Sequence, residues 1–319
     1  MNTSQNHIIV TTFYKFVFLN DLHGMQKRLL QFCNNNTVKG TILLAHEGIN
    51  GTMAGSRGAI NKVIDYLKHD PLFSDLELKE SVYETMPFYR MKVKIKKEIV
   101  SMGIPDISPQ KKVGIRVCAR DWNELIEDPD VLVIDTRNQY EYELGTFKNA
   151  ISPNTRSFNE FPGYVNQQLK NYKKRKIAMF CTGGIRCEKA TSYLLEQGFE
   201  QVLHLDGGIL KYLEEVNTGD NLWVGECFVF DNRVAVDKNL GKGTHEMCYG
   251  CRMPVSEKDM KSEKYEEGVS CPRCFDGLTV ERKMSLHQRQ YQVRLAESRN
   301  EQHIGIPIEF KKNHVRFQS

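Results

Sequence analysis

The sequence predicts an α/β protein whose central domain contains a mostly parallel β-sheet, preceded by an α+β domain and followed by a cysteine-rich segment. At 319 residues the chain is long enough for two or three domains. Two uninterrupted apolar runs, 131–134 and 177–180, are typical of strands buried on both faces of a parallel sheet. Four of the nine cysteines lie between residues 248 and 274, which sets the last segment apart.

Composition is that of an ordinary globular protein, with 40% hydrophobic and 26% charged residues and a net charge of +4. The first residues lack the charged and apolar regions of a secretory signal, and no run approaches the ~18 apolar residues needed to span a bilayer. An odd number of cysteines in a chain of this size favours reduced thiols over a disulfide framework. We therefore expect a cytoplasmic protein with no membrane partner, whose oligomeric state the sequence leaves open.

The first hundred residues follow the pattern strand, helix, strand, strand, helix, strand, strand. Residues 8–19 are apolar and aromatic, and Asp21 is placed to cap the helix that follows them. A second helix is expected at residues 56–68. Two β-α-β halves of this kind predict a ferredoxin-like sandwich, with both helices on one face of an antiparallel sheet. We place this domain at residues 1–102.

Four cations, Arg90, Lys92, Lys94 and Lys96, alternate with apolar residues in the last strand of this domain. Because side chains in a strand alternate between faces, these four share one face. Their mutual repulsion would be relieved by an acidic ligand. They are therefore candidate RNA-binding residues, with a solvated sheet face as the alternative.

A linker rich in proline and glycine, residues 103–117, leads to the central domain at residues 118–220. Asp121 and Glu124 have the spacing of a capping arrangement that opens a short helix. Beyond them strands alternate with helices, which predicts a mostly parallel sheet.

The segment from Cys181 to Arg186, C-T-G-G-I-R, joins the end of a buried strand to a helix expected at residues 188–197. Ligands bind at this edge of an α/β sheet. Gly183 and Gly184 let backbone N–H groups turn inwards, and the helix dipole and Arg186 add positive charge. These features lower the pKa of a cysteine from about 8.5, so Cys181 is expected to react as a thiolate. An inert buried cysteine is the alternative.

Further residues are expected to support this loop. Cys187 places a second thiol beside it, which could resolve an oxidised Cys181 or pack in the first helical turn. The supporting residues are Thr182, Gly183, Gly184, Ile185 and Cys187 in the loop itself, with Asp135 and Arg137 at the end of the neighbouring strand.

Residues 131–213 resemble a rhodanese domain in several motifs that occur in the right order. In rhodanese-like enzymes the loop cysteine carries a persulfide, and Cys181 occupies that position. Phosphatases of this fold have a loop one residue longer, so the resemblance disfavours that activity. The sequence departs from the family at Thr146, where histidine is common, and at Tyr212, where tryptophan is common. The matching motifs are V-L-V-I-D-T-R (131–137), E-Y-E-L-G (141–145), the cysteine loop and H-L-D-G-G-I (204–209).

Nearly the whole chain resembles the bacterial tRNA uridine hydroxylase family, rhodanese-domain proteins with an N-terminal ferredoxin- or acylphosphatase-like unit. The resemblance implies oxygen-dependent 5-hydroxylation of the wobble uridine of tRNA, with dioxygen as co-substrate. Cys181 and Arg186 would then be the catalytic residues. The motifs that carry the resemblance are E-G-I-N-G-T (47–52), K-E-I-V-S-M-G (97–103), C-T-G-G-I-R-C-E-K-A (181–190) and G-E-C-F-V-F-D (225–231).

Oxygen chemistry of this kind normally uses a flavin or a redox metal. The sequence has no G-x-G-x-x-G after a strand and no 2-His-1-carboxylate spacing, so the redox cofactor is unassigned. Cys181 could add to C6 of the uracil, or its persulfide or sulfenate could take part in oxygen transfer. The alternative functions are a small-molecule or thiol sulfurtransferase and a non-catalytic RNA-binding or scaffold protein.

The C-terminal segment, residues 221–319, contains two C-x-x-C pairs separated by 19 residues. Four thiolates with this spacing suit a structural, tetrahedral zinc ion, and a metal-free set of thiols or disulfides is the alternative. From residue 280 onwards eight cations stand against four carboxylates, an excess that could bind phosphate. A helix is expected at residues 284–299. The candidate zinc ligands are Cys248, Cys251, Cys271 and Cys274.

Overall fold

The computed structural model describes residues 7–301 and residue 304. The chain divides into two compact units. The first contains the chain up to Met86 together with Met91–Val229 and Ala235–Lys242. The second contains Pro87–Arg90, Phe230–Val234 and the chain from Gly243. The two domains expected at residues 1–102 and 118–220 thus lie largely within one unit.

The N-terminal domain has the predicted order of elements. Asp21 and Ser56 cap its two helices by accepting hydrogen bonds from backbone N–H groups of the first turn. The five strands form one sheet in the order β4-β1-β3-β2-β5. The elements are β1 (Ile8–Phe16), α1 (Leu22–Asn35), β2 (Lys39–Ala45), β3 (Gly48–Gly55), α2 (Arg57–Lys68), β4 (Leu78–Tyr83) and β5 (Met91–Ile95).

The predicted antiparallel sheet requires one correction, because β5 runs parallel to β2. The other pairs in this sheet are antiparallel. β4 and β5 lie at opposite edges, so the chain crosses the sheet between them and enters β5 in the direction of β2. Side chains alternate between the two faces in parallel and antiparallel strands alike, so the sequence pattern could not distinguish these two orientations of β5.

Both helices pack on the same face of this sheet. Leu29 of α1 and Val63 of α2 join one buried apolar cluster with Phe13, Ile42 and Met53 of the strands. Alternate residues of the strands therefore point to the opposite face.

The central domain contains the predicted parallel sheet, in the order β6-β10-β9-β7. Two antiparallel pairs, β8 with β11 and β12 with β13, complete it. The elements are β6 (Ile115–Val117), α3 (Ala119–Glu127), β7 (Leu132–Asp135), α4 (Gln139–Leu144), β8 (Gly145–Phe147), α5 (Phe161–Gln168), β9 (Ile177–Phe180), α6 (Ile185–Glu196), β10 (Val202–Leu205), α7 (Gly208–Glu215), β11 (Trp223–Gly225), β12 (Cys227–Phe228) and β13 (Ala235–Val236).

Three local expectations in this domain differ from the structure. Residues 115–117, at the end of the segment expected to be a linker, form β6. The capping arrangement at Asp121 is wrong, because α3 begins at Ala119 and Asp121 lies inside its first turn. Burial of Ala119 and Trp122 sets the start of this helix. α6 begins three residues earlier than expected, at Ile185.

The second unit contains the four clustered cysteines and the longest helix among the described residues. That helix begins four residues before the predicted start because Thr279 caps it by accepting a hydrogen bond from Arg282 N. The predicted tail residues Glu309, Lys311, Lys312 and Arg316 lie outside the described residues. Within the described chain, no helix has the length and apolar character needed to cross a bilayer. The elements are β14 (Glu246–Met247), β15 (Pro254–Val255), α8 (Glu257–Met260) and α9 (Val280–Ser298).

Candidate active site

Cys181 lies immediately after the buried strand β9, at the carboxyl-terminal edge of the parallel sheet. Gly184 closes the loop in a left-handed conformation, φ +97°, and its N–H donates to Cys181 Sγ at 3.1 Å. Gly208, at the start of α7, packs so closely that a Cβ there would lie 2.5 Å from Cys181 O. Glycines from two loops therefore shape the backbone around the sulfur.

The surroundings of Cys181 favour its thiolate. Burial opposes ionisation, but a hydrogen bond from the Cys187 thiol, the charge of Arg186 and the N–H groups of Cys187 and Gly184 outweigh it. Together they lower the pKa of Cys181 to about 6. Burial and the hydrogen bond to Cys181 raise the pKa of Cys187 well above its ordinary value. At neutral pH the pair therefore holds one thiolate, on Cys181, and one thiol, on Cys187.

Thr136 connects this pair of cysteines to the neighbouring strand β7. Its hydroxyl donates to Phe180 O at 3.0 Å and lies 3.5 Å from Cys187 Sγ. Thr136 was not among the expected site residues, although it lies between Asp135 and Arg137, which were. Its contacts fix the position of Cys187 under the loop.

Arg186 forms a bidentate ion pair with Glu141. Its Nη1 and Nη2 lie 2.6 and 2.8 Å from the two Glu141 carboxylate oxygens, and Nη2 also contacts Thr182 Oγ1 at 3.3 Å. Both side chains are buried, and the Arg186 guanidinium lowers the pKa of Glu141 despite that burial. Sequence reasoning missed Glu141. The available signal was its place at the start of the E-Y-E-L-G motif (141–145), and its carboxylate also accepts a hydrogen bond from Asn138 N.

Asp135 and Arg137 form a second, completely buried ion pair. Arg137 Nε and Nη2 lie 2.9 and 2.6 Å from the carboxylate oxygens of Asp135, and Nη2 also donates to Gly145 O. Thr146 donates to the same carboxylate at 3.0 Å. These contacts tie the end of β7 to β8. The pair therefore braces the strand beside the cysteine loop and makes its hydrogen bonds away from Cys181.

The N-terminal domain reaches the cysteine loop through Tyr14 of β1. Tyr14 Oη donates to Glu188 Oε1 at 3.2 Å, and a Cβ at Gly184 would lie only 2.9 Å from that hydroxyl. Arg116 of β6 binds the same carboxylate oxygen at 2.5 Å. Nothing in the sequence pattern singled out Tyr14 or Glu188, because their proximity depends on how the two domains pack.

The four expected RNA-binding cations differ in their place in the fold and in their exposure to solvent. Lys92 and Lys94 alternate with Met91 and Val93 along the edge strand β5, as expected. Lys94 and Lys96 are exposed, and Lys92 is half-buried. Arg90 and Lys96 lie just outside β5, so the expected strand is shorter than predicted, and Arg90 belongs to the second unit.

The four expected metal-ligating cysteines lie together in the second unit. Their sulfur atoms all lie within 4.8 Å of one another, so the cluster can bind a metal ion. Arg289 of α9 donates to Gly268 O at 2.7 Å and holds the helix against one of the two cysteine loops. A Cβ at Gly250 would lie 2.2 Å from Val269 O, so only glycine fits between the loops.

Two family models match the first unit. Residues 8–99 match the UPF0176 acylphosphatase like domain, and residues 119–215 match the rhodanese-like domain. A rhodanese-like domain from Anabaena sp is 20% identical, with a TM-score of 0.29, over 34% of this chain and 78% of that domain. An acylphosphatase from Coxiella burnetii is 10% identical, with a TM-score of 0.21, over 29% of this chain and 100% of that structure. Neither solved structure is close enough to bear on function.

A full-length relative gives stronger information. A protein from Teredinibacter turnerae named tRNA uridine(34) hydroxylase is 52% identical over 305 residues. The match covers 96% of this chain and 95% of the relative, and it includes both domains of the first unit and the cysteine-rich segment. The expected family is thereby confirmed: the chain belongs to the tRNA uridine(34) hydroxylase family.

Proposed function

We propose that this protein hydroxylates C5 of uridine 34 in tRNA, in the cytoplasm, with dioxygen as the oxidant and Cys181 as the nucleophile. The name and extent of the relative support the substrate and the reaction. The observation that carries the role of Cys181 is its stabilised thiolate at the strand edge, with a pKa lowered to about 6. A thiolate at neutral pH is the form of cysteine that attacks carbon.

The uracil ring offers such a carbon at C6, because the C5–C6 double bond is conjugated with the C4 carbonyl. Addition of Cys181 Sγ to C6 moves the electron pair onto C5 and O4, which makes C5 nucleophilic towards an oxidant. After a C5–O bond forms, loss of the C5 proton and departure of the thiolate restore the ring. The overall reaction consumes one dioxygen, two electrons from an external reductant and two protons, and it releases water.

The other loop residues act on this chemistry through Cys181. Gly184 N–H contacts the sulfur directly, and the Arg186 charge lowers the pKa of Cys181 while remaining paired with Glu141. Lys92, Lys94, Lys96 and Arg90 remain proposed RNA contacts. Phosphate neutralisation by such cations supplies most of the sequence-independent affinity for RNA.

We also propose that the four-cysteine cluster binds a structural zinc ion. Zn–S bonds of about 2.3 Å place the ligands of a tetrahedron about 3.8 Å apart. The Cys248–Cys274, Cys251–Cys271 and Cys271–Cys274 sulfur pairs are separated by 3.9, 3.7 and 3.8 Å. Four protein ligands complete the coordination, so the ion would stabilise the fold and leave no position for substrate.

Nucleoside mass spectrometry of tRNA from cells with and without the gene tests the function. We expect 5-hydroxyuridine-derived nucleosides to disappear on deletion and to return with the wild-type protein or with Cys118→Ser, which replaces an exposed cysteine elsewhere. Cys181→Ser should restore none. An unchanged nucleoside profile on deletion, with other modification routes removed, would contradict the proposal. Full activity of Cys181→Ser would contradict the role of Cys181.

A sulfurtransferase is the second candidate, favoured by the same thiolate in a C-x4-R loop. In that case Cys181 would accept sulfane sulfur from thiosulfate or a persulfide and pass it to a thiol. Mass spectrometry of the intact protein after incubation with thiosulfate detects the added sulfur. Rapid turnover with a thiol acceptor, together with unchanged tRNA nucleosides on deletion, would favour this function.

A further inference from the structure

A cavity of about 210 Å³ lies beside the cysteine loop, between the N-terminal sheet and the central domain of the first unit. It is large enough to hold several water molecules or a phosphate group. Tyr14 forms part of its wall and also contacts Gly184 of the loop. Its lining includes Tyr14, Lys15, Asp75, Lys79, Arg116 and Glu188.

Most charges in the cavity wall are paired with each other, and the carboxylate of Glu77 also lies in the wall. Lys15 pairs with Asp75, and Arg116 pairs with Glu188 at 2.5 Å. Lys79 of β4 is different, because it forms no ion pair with any residue that the structure describes. Lys79 is 9% exposed, and its ammonium lies over the Tyr14 ring, 5.1 Å from the centroid.

A nearly buried ammonium without a carboxylate partner is unfavourable unless a ligand compensates it. Burial lowers the pKa of Lys79, and the negative charges of Glu77, Asp206 and Cys181 oppose this effect only partly. An anion in the cavity would stabilise the charged form. The cation–π contact with Tyr14 supplies only part of that stabilisation.

We propose that this cavity binds one backbone phosphate of the RNA substrate, with Lys79 as its charge partner, and so brings the adjoining nucleotide to the cysteine loop. The inference rests on the proposed function, because it assigns the anion to RNA. A free oxyanion such as thiosulfate has the same chemistry and is the competing source. Tyr14 connects the two sites, since its ring faces Lys79 and its hydroxyl lies against Gly184.

RNA binding by the full-length protein tests this assignment. Anticodon stem-loops carrying a single neutral methylphosphonate, moved one position at a time through the loop, locate the phosphate. At the phosphate that Lys79 contacts, we expect the affinity of the wild-type protein to fall about ten- to a hundred-fold, the range for a lost hydrogen bond to a charged group. Lys79→Met and Lys79→Gln should weaken binding of unmodified RNA by the same factor. The affinity of these variants should then not change when the methylphosphonate is placed at that position.

Two control variants separate this contact from general electrostatics. Lys79→Arg keeps the charge and should restore affinity, whereas Lys62→Gln removes an exposed cation of α2 and should bind like wild type. The slope of log affinity against log salt should fall by about 0.7 for Lys79→Met, the value for one contact to a single strand. If Lys79→Met is too unstable to purify, Lys79→Gln and Lys79→Arg provide the same comparison against the methylphosphonate scan of the wild-type protein.

Three results would overturn the proposal. One is that, at every position, the losses of binding free energy caused by the Lys79 substitution and by the methylphosphonate simply add. Another is a wild-type protein that binds all the modified stem-loops equally. The third is a raised KM for thiosulfate in Lys79→Met with unchanged RNA affinity, which would assign the cavity to the free anion. A wild-type protein that neither binds nor modifies tRNA would instead refute the proposed function, independently of any Lys79 variant.

Discussion

The ammonium of Lys189 lies 2.8 Å from a carboxylate oxygen of Glu47, although 142 residues separate them in the chain. The same ammonium lies 2.7 Å from Glu98 and donates to Val100 O at 3.1 Å. Lys189 is 1% exposed and belongs to α6, the helix that starts at the cysteine loop. Three of the motifs that carry the family resemblance, around residues 47, 98 and 189, therefore meet at one buried charge.

Replacing Lys189 with methionine should loosen the segment after β5. The Glu47 carboxylate also accepts a hydrogen bond from Ile99 N, and the Glu98 carboxylate accepts one from Gly103 N. These two carboxylates hold the segment in place only while Lys189 fixes their positions. Loss of one partner of a buried ion pair destabilises by about 3–5 kcal/mol. Hydrogen exchange measured by mass spectrometry should show faster exchange at residues 97–103 than in wild type. The exposed Lys174→Met is the control, and equal exchange in both variants would refute this role.

Glu141→Gln should destabilise the central domain, because it removes the carboxylate that pairs with the buried Arg186 guanidinium. Among the residues that the structure describes, it leaves only the Cys181 thiolate as a negative charge near that guanidinium. We expect a loss of about 3–5 kcal/mol in the free energy of unfolding, measured by urea titration. The exposed Glu143 on the same helix provides the control, and Glu143→Gln should change stability by less than about 0.5 kcal/mol. Similar stabilities for the two variants would contradict the structural role of the Glu141–Arg186 pair.

The Cys181 thiolate should be measurable directly. The ultraviolet absorbance of thiolates, taken as the difference between wild type and Cys181→Ser, should titrate near pH 6, the lowered pKa of Cys181. Between about pH 6 and its ordinary value of 9.0, the unfolded chain binds the proton that the folded protein has released. Stability therefore rises with pH across this window and falls as the pH drops towards 6.

The free energy of unfolding should depend less on pH in Cys181→Ser, because this variant lacks the ionising thiol. Hydroxylation activity should also increase as the pH rises through about 6, because the proposed nucleophile is the thiolate form of Cys181. If the absorbance difference between wild type and Cys181→Ser titrated near the ordinary pKa of cysteine, the loop would not stabilise the thiolate of Cys181.

Metal analysis should find one zinc ion for each chain, released by a strong chelator. Cys271→Ser should lose the zinc because it removes one of four ligands, while Cys118→Ser should retain it. Limited proteolysis should then cut the second unit faster in the metal-free protein, since binding energy of structural zinc is folding energy. Retention of stoichiometric zinc by Cys271→Ser would exclude this site.

The sequence alone determined the features that depend on local patterns. The apolar run 177–180 followed by two glycines specified a buried strand and a tight loop, and so placed Cys181 at a sheet edge. The C-x-x-C spacing likewise identified four cysteines that the fold brings together. The starts of the two N-terminal helices, capped by Asp21 and Ser56, were also found, because a cap acts within one turn.

Tertiary structure decided everything that depends on which distant segments meet. The partner of Arg186 is Glu141 on another helix, and the domain contact is made by Lys189 with Glu47. The cavity containing Lys79 exists only because β1, β4 and β6 converge beside the loop. Periodicity records which face of an element is buried, but it carries no information about the element that covers it. For this reason the cysteine loop could be predicted from the sequence, whereas the distant groups that contact it required the fold.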